Sequence, residues 1–370
     1  MALPQAMTER RRRFPLAEMR DIRQAGDRTR LALLAIALLV AGSIFSMLVS
    51  VTTGASDASI VDVIANIAGS ETALSARDRI IIFDIRLPRT ILGFLIGASL
   101  AVSGTVMQGL FRNPLADPGL VGVSSGASFG AVAMIVLGGG LAAPFEAPLG
   151  IYALPAAAFG GGLATTLLLY RIATRHGQTS VATMLLAGIA LGALALALTG
   201  LLIYMANDQQ LRDLTFWSMG SLAGATWTKI AAAGPIVLLS FTALPFMARG
   251  LNAITLGEAA AFHMGVPVQR LKNVAIVGVA AATGASVAVS GGIGFVGIVV
   301  PHILRMAIGP DHRFLLPAAA LLGGSLLIFA DVLARTLVAP AELPIGIITA
   351  AVGGPFFLWI LLKQRSRLAL

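Results

Sequence analysis

The residues of this chain that could do covalent chemistry are few and widely separated. Its 370 residues include no cysteine, four histidines and three lysines. The zinc motif His-Glu-x-x-His and the phosphate loop Gly-x-x-x-x-Gly-Lys-Ser/Thr do not occur. His263 has no second histidine or carboxylate at a metal-binding spacing. The sequence therefore predicts no enzyme, no metal site and no permanently bound cofactor.

Arginines at the edges of apolar segments are the side chains best suited to binding. Arg86 and Arg89 begin one apolar segment, and Arg335 ends another. Such guanidiniums either bind carboxylates through paired hydrogen bonds or extend to the lipid headgroups. Because Asp331 precedes Arg335 by four residues, the two are also expected to form an ion pair within one helix.

A second polar segment, residues 207–217, contains Arg212 followed by Phe216 and Trp217. Two interpretations of Arg212 stay open. Its guanidinium either binds a carboxylate of a ligand at a partly dry site or pairs with the nearby Asp208 or Asp213.

The composition indicates that membrane helices must position these residues. The chain is 57% hydrophobic and 12% charged, with a mean hydropathy of +0.89, so lipid must be the solvent for most of it. We predict an all-α polytopic membrane protein with about ten spans of roughly 20 residues each, nine or eleven being the alternatives. The predicted spans are 31–51, 88–109, 118–139, 149–171, 179–206, 228–247, 271–290, 295–308, 314–338 and 345–362.

The distribution of basic residues predicts the orientation. Ten spans place both termini on one side, and assigning that side to the cytoplasm gives it 19 of the 26 Lys and Arg residues. The +9 charge is thereby explained by topology and not by nucleic acid binding. We divide the chain into a cytoplasmic basic tail (1–30), a single transmembrane domain (31–364) and a cytoplasmic C-terminus (365–370).

Local signals predict how some helices start and pack. Asp117 followed by Pro118 is typical of a helix start and is expected to begin the third span. Small residues four apart, as in Gly93/Gly97 and Gly122/Gly126/Gly130, predict close helix contacts.

The cytoplasmic loop at about 250–271 is expected to contain a short amphipathic helix. Thr255 and Glu258 have the spacing of a capping box, and the following residues supply an apolar face. One interpretation is an ordinary surface helix, and the other is a docking element for a partner.

Several longer segments resemble the FecCD-type permeases, which are membrane subunits of type II ABC importers for iron siderophores, heme and cobalamin. The resemblance covers roughly residues 80–362. The segments that carry it include Asp84-Ile-Arg-Leu-Pro-Arg89, Phe111-Arg-Asn-Pro-Leu-Ala-Asp-Pro-Gly119, Leu256-Gly-Glu258, Gly291-Gly-Ile-Gly-Phe-Val-Gly297, Val300-Pro-His302 and Pro340-Ala-Glu-Leu-Pro-Ile-Gly346.

This resemblance implies a homodimeric pore in the bacterial inner membrane, with two cytoplasmic ATPase subunits and one periplasmic substrate-binding protein. The residues that it assigns to binding-protein docking are Arg86, Arg89 and Arg335. Those that it assigns to ATPase coupling are Leu256, Gly257, Glu258, Ala260, Gly265 and Arg270. Arg212, Phe216 and Trp217 are expected to border the substrate pathway.

The run from Gln108 to Gly126 looks most like heme permeases, and Arg212 suits a ligand with two carboxylates. We therefore expect import of heme by alternating access, with a ferric siderophore or cobalamin as the alternative ligand. An ion-coupled secondary transporter is the alternative of another class. Such carriers usually need several buried ionisable residues, whereas Asp331 is the only acid well inside a predicted span.

Overall fold

The computed structural model describes residues 28–54, 75–175 and 178–368, and those ranges are almost entirely helical. We number the helices in chain order. They are α1 (Thr29–Thr52), α2 (Ala76–Leu110, with a π-helical stretch at Ile80–Arg86), α3 (Val123–Leu137), α4 (Ala143–Leu149), α5 (Ala153–Ala173), α6 (Val181–Met205), α7 (Asp208–Ser218), α8 (Trp227–Thr242), α9 (Leu244–Ile254), α10 (Glu258–His263), α11 (Val268–Ser290), α12 (Val296–Ile308), α13 (His312–Thr336) and α14 (Ile345–Leu368). Strands β1 (Thr174–Arg175) and β2 (Gln178–Thr179) form a short antiparallel pair between α5 and α6.

The predicted fold class of a polytopic helical membrane protein is confirmed. Within the described ranges six helices, α1, α2, α4 with α5, α6, α11 and α13, are long and apolar enough to cross a membrane. The pair α8 and α9, bent by 52° at Ala243, gives a seventh candidate, and α3, α12 and α14 are shorter apolar helices. If each of those three also crosses, the number of spans is the predicted ten.

Helices α2 and α11 form the centre of the bundle. In the most apolar window of α2, 83% of the residues are buried, compared with 17% in α1 and 11% in α6. Helix α2 packs against α13, α11 and α12, while α3 packs against α5 and α6. Since the outward faces of α1 and α6 carry long apolar side chains, lipid or another subunit must cover them.

Glycines allow the closest helix contacts, as the small-residue spacing predicted. A Cβ atom on Gly97 of α2 would overlap the carbonyl of Gly323 in α13, and a Cβ atom on Gly130 of α3 would overlap the carbonyl of Ala157 in α5. At these positions only glycine lets the two backbones meet.

The start of the third predicted span differs from expectation. The Asp117 carboxylate accepts a hydrogen bond from the Gly119 amide at 2.8 Å, but the helix that it caps is a single 3-10 turn, Pro118–Val121. Gly122 then adopts a left-handed φ of 76°, and α3 begins at Val123. The local cap signal was read correctly, whereas the turn that follows was not foreseen.

The bundle has two ends. At one end, Asn252 near the end of α9 donates a hydrogen bond to Asp311, which precedes α13. His312 contacts the end of α2 at Gly109. Helix α10 follows α9 directly, so we name this end the Glu258 end. The opposite end, where α1 finishes and α2 enters the bundle beside Asp331, is the Arg89 end.

Candidate functional site

A buried network of charges occupies the Arg89 end. The Arg89 Nε and Nη2 atoms donate to the Asp331 carboxylate at 2.8–3.0 Å, and Nη1 donates to Glu342 at 2.9 Å. The Arg335 Nε lies 3.5 Å from the other Asp331 oxygen, which confirms the predicted pair within α13. One carboxylate is thus shared by two guanidiniums from different helices.

Arg335 of this network and the neighbouring Arg86 also cap the end of α1. The last carbonyls of a helix have no partner within the helix. Here Arg335 donates to the carbonyl of Ser50 at 2.8 Å and to that of Thr53 at 3.0 Å. Arg86 donates to the carbonyls of Val51 and Thr52, both at 3.0 Å. The positive side chains of α2 and α13 therefore hold the negative end of the α1 dipole.

Arg86, Arg89 and Arg335 are only 4%, 6% and 7% exposed, and all three bind groups of their own chain. Their assignment to binding-protein docking stays a prediction. Glu342, whose side chain is 40% exposed, is the accessible member of the network. Sequence reasoning did not single it out, although an acid in the segment after Arg335 is a natural partner for arginines at the same end.

The other end presents α10 as a short helix between two left-handed glycines. Gly257 has a φ of 108° and Gly265 a φ of 82°, conformations that glycine adopts without strain. The expected amphipathic helix is present, but the expected capping box is wrong. The Thr255 hydroxyl donates back to the Asn252 carbonyl at 2.6 Å, and Gly257 is the N-cap.

The surface around α10 combines apolar side chains with a polar cleft. Leu256, Phe262 and Met264 are 71%, 70% and 54% exposed, which is unusual for side chains of this size outside lipid. A cleft of about 810 Å³ adjoins them. Its lining includes the predicted coupling residues Glu258 and Arg270, whereas Ala260 is half-buried and Leu256 lies outside the cleft.

The Glu258 carboxylate accepts a hydrogen bond from Lys272 at 2.7 Å, so it is tied to α11 and not to the start of its own helix. Lys272 is only 4% exposed and donates a second bond to the Thr179 carbonyl at 3.0 Å. The sequence indicated Lys272 only as a basic residue at the edge of a span. A lysine at the start of an apolar segment needs an acidic or carbonyl partner, and this requirement could have identified the site from the sequence.

Arg212 and Phe216 lie one turn apart on α7 and both are exposed, whereas Trp217 is half-buried against the small residues of α3, α5 and α11. Gln210 fixes α7 through a capping box with Asn207 and through bonds to the carbonyls of Ile135 and Val136, both at 3.1 Å. Of the five ion pairs found among the described residues, none includes Arg212. The alternative pairing with Asp208 or Asp213 is therefore not seen.

Asp311 organises the remaining polar cluster at the Glu258 end. Burial would raise the pKa of this carboxyl, but hydrogen bonds from Arg313 and Asn252 lower the pKa to about 2. The Asn252 side chain donates to Asp311 at 2.7 Å, and its oxygen accepts from the His312 amide at 2.9 Å. This cluster joins the end of α9 to the start of α13. Within the described ranges, no three His, Asp or Glu side chains are grouped as metal ligands.

Comparison with known proteins agrees with this architecture. The model of the FecCD transport family matches residues 31–363. The hemin transport system permease protein HmuU of Yersinia pestis is 49% identical over 286 residues, covering 77% of this chain and 84% of HmuU. The cobalamin import system permease protein BtuC of Halobacterium salinarum is 44% identical over 289 residues, covering 78% of this chain and 75% of that protein.

The vitamin B12 import system permease protein BtuC of Escherichia coli (strain HS) is also 44% identical, over 292 residues that cover 78% of this chain and 86% of that protein. Among solved structures, one described as an inward-facing conformation of a metal-chelate type ABC transporter is similar with a TM-score of 0.75. That structure is 32% identical in sequence, and the match covers 90% of this chain and 99% of the other.

Proposed function

The chain belongs to the FecCD transport family, and from that membership we propose that it forms half of a homodimeric pore through which heme enters the cytoplasm. It is a permease subunit of an ABC importer in a bacterial inner membrane, and the hydrolysis of ATP falls to a separate subunit. Heme as the ligand, the homodimer and the cytoplasmic position of both termini are parts of the proposal.

The observation that carries the choice of heme is the exposed pair Arg212 and Phe216 on α7. A guanidinium binds a carboxylate through parallel hydrogen bonds, and an aromatic ring one turn away can contact a flat apolar ligand. Heme has both features, a planar macrocycle and two propionates. The 49% identity to a hemin permease supports the same ligand, whereas the 44% identity to cobalamin permeases keeps cobalamin as the alternative.

We place the ATPase subunit against α10. The exposed Leu256, Phe262 and Met264 give it an apolar contact, and the cleft beside them offers Glu258 and Arg270 for polar contacts. Apolar centres with polar rims are the usual anatomy of specific interfaces. Alternating access then follows if the ATP-bound state of the partner holds α10 in a different position from the nucleotide-free state.

We place the binding protein at the Arg89 end. Glu342 lies in the non-helical segment between α13 and α14 and is the most accessible carboxylate bound to Arg89. An acidic residue of the binding protein can replace Glu342 on Arg89 Nη1 while Asp331 keeps the other face of the guanidinium. In this arrangement, docking exchanges one carboxylate for another and leaves no buried cation unpaired.

The experiment is ATP-dependent uptake into proteoliposomes that contain this chain with an ATPase subunit and a binding protein from the same organism, comparing heme, a ferric siderophore and cobalamin. We expect heme uptake that falls about tenfold or more in Arg212→Ala, as for loss of a charged hydrogen bond. The matched control is Gln209→Ala, an exposed neighbour on α7, which should transport normally.

Uptake of cobalamin or siderophore alone would contradict heme but keep the importer. Uptake of heme that is equal in Arg212→Ala and the control would contradict the role of Arg212. Uptake that needs no ATPase would contradict the mechanism.

A further inference from the structure

A buried lysine connects the proposed ATPase contact to the start of a membrane helix. The Lys272 Nζ atom of α11 lies 2.7 Å from the Glu258 carboxylate of α10 and 3.0 Å from the Thr179 carbonyl of β2. With 4% of its surface exposed, this ammonium has little access to water. Its two acceptors belong to segments far apart in sequence, α10 and the strand before α6.

Thr179 is held by α11 at two further points, both through Gln269. The Gln269 side chain accepts from the Thr179 amide at 3.1 Å and donates to the Thr179 hydroxyl at 2.7 Å. Gln269 also donates to Asn273 at 2.8 Å, and Asn273 accepts from the Tyr170 hydroxyl of α5 at 2.5 Å. The first turns of α11 therefore fix the short hairpin that leads into α6.

The residue after Thr179 is the N-cap of α6. The Ser180 hydroxyl accepts from the Thr183 amide at 3.3 Å, so a displacement of Thr179 reaches the first turn of α6 through a single peptide unit. Helix α6 has the smallest buried share of the long apolar helices that the structure describes. Its position is thus set by contacts with α3 and α5 and by this attachment at its start.

We propose that Lys272 is a positioning residue that transmits movement of α10 to α6, through Glu258 on one side and the Thr179 carbonyl on the other. The physical reason is the cost of an unpaired buried cation. If the ATPase moves Glu258, an ammonium left behind would lose its counter-charge in a dry environment, so Lys272 and its second acceptor follow. The proposal rests on the proposed contact between α10 and the ATPase.

The test uses a reporter that needs no transported ligand. Because the chain has no cysteine, Ala182→Cys places a single thiol on the exposed side of the first turn of α6. The labelling rate of this thiol with a fluorescent maleimide is measured in the permease–ATPase complex, with and without vanadate-trapped ATP. The reporter is then combined with Lys272→Met, which keeps an unbranched side chain and removes the charge, and with Lys272→Arg, which keeps the charge.

We expect trapped ATP to change the labelling rate at least about fivefold in the otherwise unmodified chain, a typical size for coupling between sites. Lys272→Met should abolish the change while the ATPase still co-purifies and hydrolyses ATP, and Lys272→Arg should restore most of it. Glu258→Gln, which tests the same link without touching α11, should also reduce the change. The matched control is Lys229→Met, the same substitution in α8, which should respond normally.

A nucleotide response that survives in both Lys272→Met and Glu258→Gln would overturn the proposal. Loss of ATPase binding in Lys272→Met would also overturn it, because Lys272 would then be needed for docking and not for transmission. Failure of the ATPase to bind the otherwise unmodified chain would instead contradict the proposed function.

Discussion

Asp331 lies between two arginines that belong to different helices, and this arrangement decides how each residue of the network responds to substitution. Arg89 and Arg335 are both almost fully buried, and the Asp331 carboxylate is close to both. Glu342 neutralises Arg89 from a more exposed position. Both acids bind the Arg89 guanidinium, but removing Asp331 takes a counter-charge from two buried arginines, whereas removing Glu342 takes one from Arg89 alone.

Asp331→Asn should destabilise the protein strongly, because it leaves two buried guanidiniums with one partly exposed carboxylate. Removing one partner of a buried pair typically costs about 3–5 kcal/mol. Glu342→Gln is the matched control, and it should cost about 1 kcal/mol or less, as expected for a partly solvated pair. Thermal unfolding of the purified variants in detergent measures both losses of stability.

Equal losses of stability in the two variants would contradict this ranking. Uptake adds a second measurement, since Glu342→Gln removes the carboxylate that docking is proposed to displace. It should leave transport intact or make binding-protein docking tighter, and a complete loss of docking would contradict the exchange of carboxylates on Arg89.

At the scale of helices, the backbone contact between α2 and α13 is the least adaptable feature of the bundle. Gly97 and Gly323 face each other, and a Cβ atom on either would meet the backbone carbonyl of the other. Neither backbone can yield without moving a whole helix, and α2 also carries Arg86 and Arg89. The same contact therefore determines both packing and the position of the charge network.

Gly97→Ala should lower the stability by about 1–3 kcal/mol, the usual cost of overpacking a tight contact. Gly42→Ala in α1 is the matched control, because no atom lies within 4 Å of the position that its Cβ would take. The control should be neutral or slightly stabilising, since alanine is the better helix former. Thermal unfolding of both purified variants measures the two changes in stability. A Gly97→Ala variant as stable as the unmodified chain would contradict the rigidity of the contact.

The helices could largely be predicted from the sequence, because their signals are local. Long apolar runs gave the positions of α1, α2, α6, α11 and α13, and small-residue spacing gave the Gly97 contact. The 3-10 turn at Pro118 and the bend at Ala243 were missed, since both depend on how neighbouring helices fill the space.

The polar contacts could be predicted only where both partners lie close in sequence. The pair Asp331 and Arg335 was found because four residues separate them. The bonds from Lys272 to Thr179 and from Arg89 to Glu342 join residues 93 and 253 positions apart, so they exist only once the bundle has formed. For the same reason Glu258 was assigned to a local cap with Thr255, while its tertiary partner Lys272 was overlooked.

At the scale of the whole molecule, the two ends differ in their chemistry. The Arg89 end buries its cations with carboxylates and helix carbonyls, whereas the Glu258 end exposes apolar side chains around α10 and includes Arg28 at the start of α1. The predicted excess of Lys and Arg on the latter side favours a cytoplasmic position for it under the positive-inside rule, and this orientation stays a prediction. Both proposed partners depend on this orientation, since the ATPase and the binding protein lie on opposite sides of the membrane.

Single cysteines can test the orientation, because the native chain has no thiol to give a background. Ala76→Cys lies at the exposed start of α2 near the Arg89 end, and Ala259→Cys lies on the exposed surface of α10. In intact spheroplasts that express this chain without the ATPase subunit, a membrane-impermeant maleimide should label Ala76→Cys fully and leave Ala259→Cys unlabelled. Permeabilising the membrane should make Ala259→Cys react as well, which controls for its accessibility.

The reverse pattern would place α10 outside the cell and remove the physical basis for an ATPase at the Glu258 end. Labelling of both positions before permeabilisation would mean that the two ends lie on the same side, so that an even number of the described spans separates them. The predicted pattern requires an odd number of crossings between Ala76 and Ala259. The spans α2, α3, α5, α6 and α8 with α9 supply five, provided that the short helix α3 crosses the membrane completely.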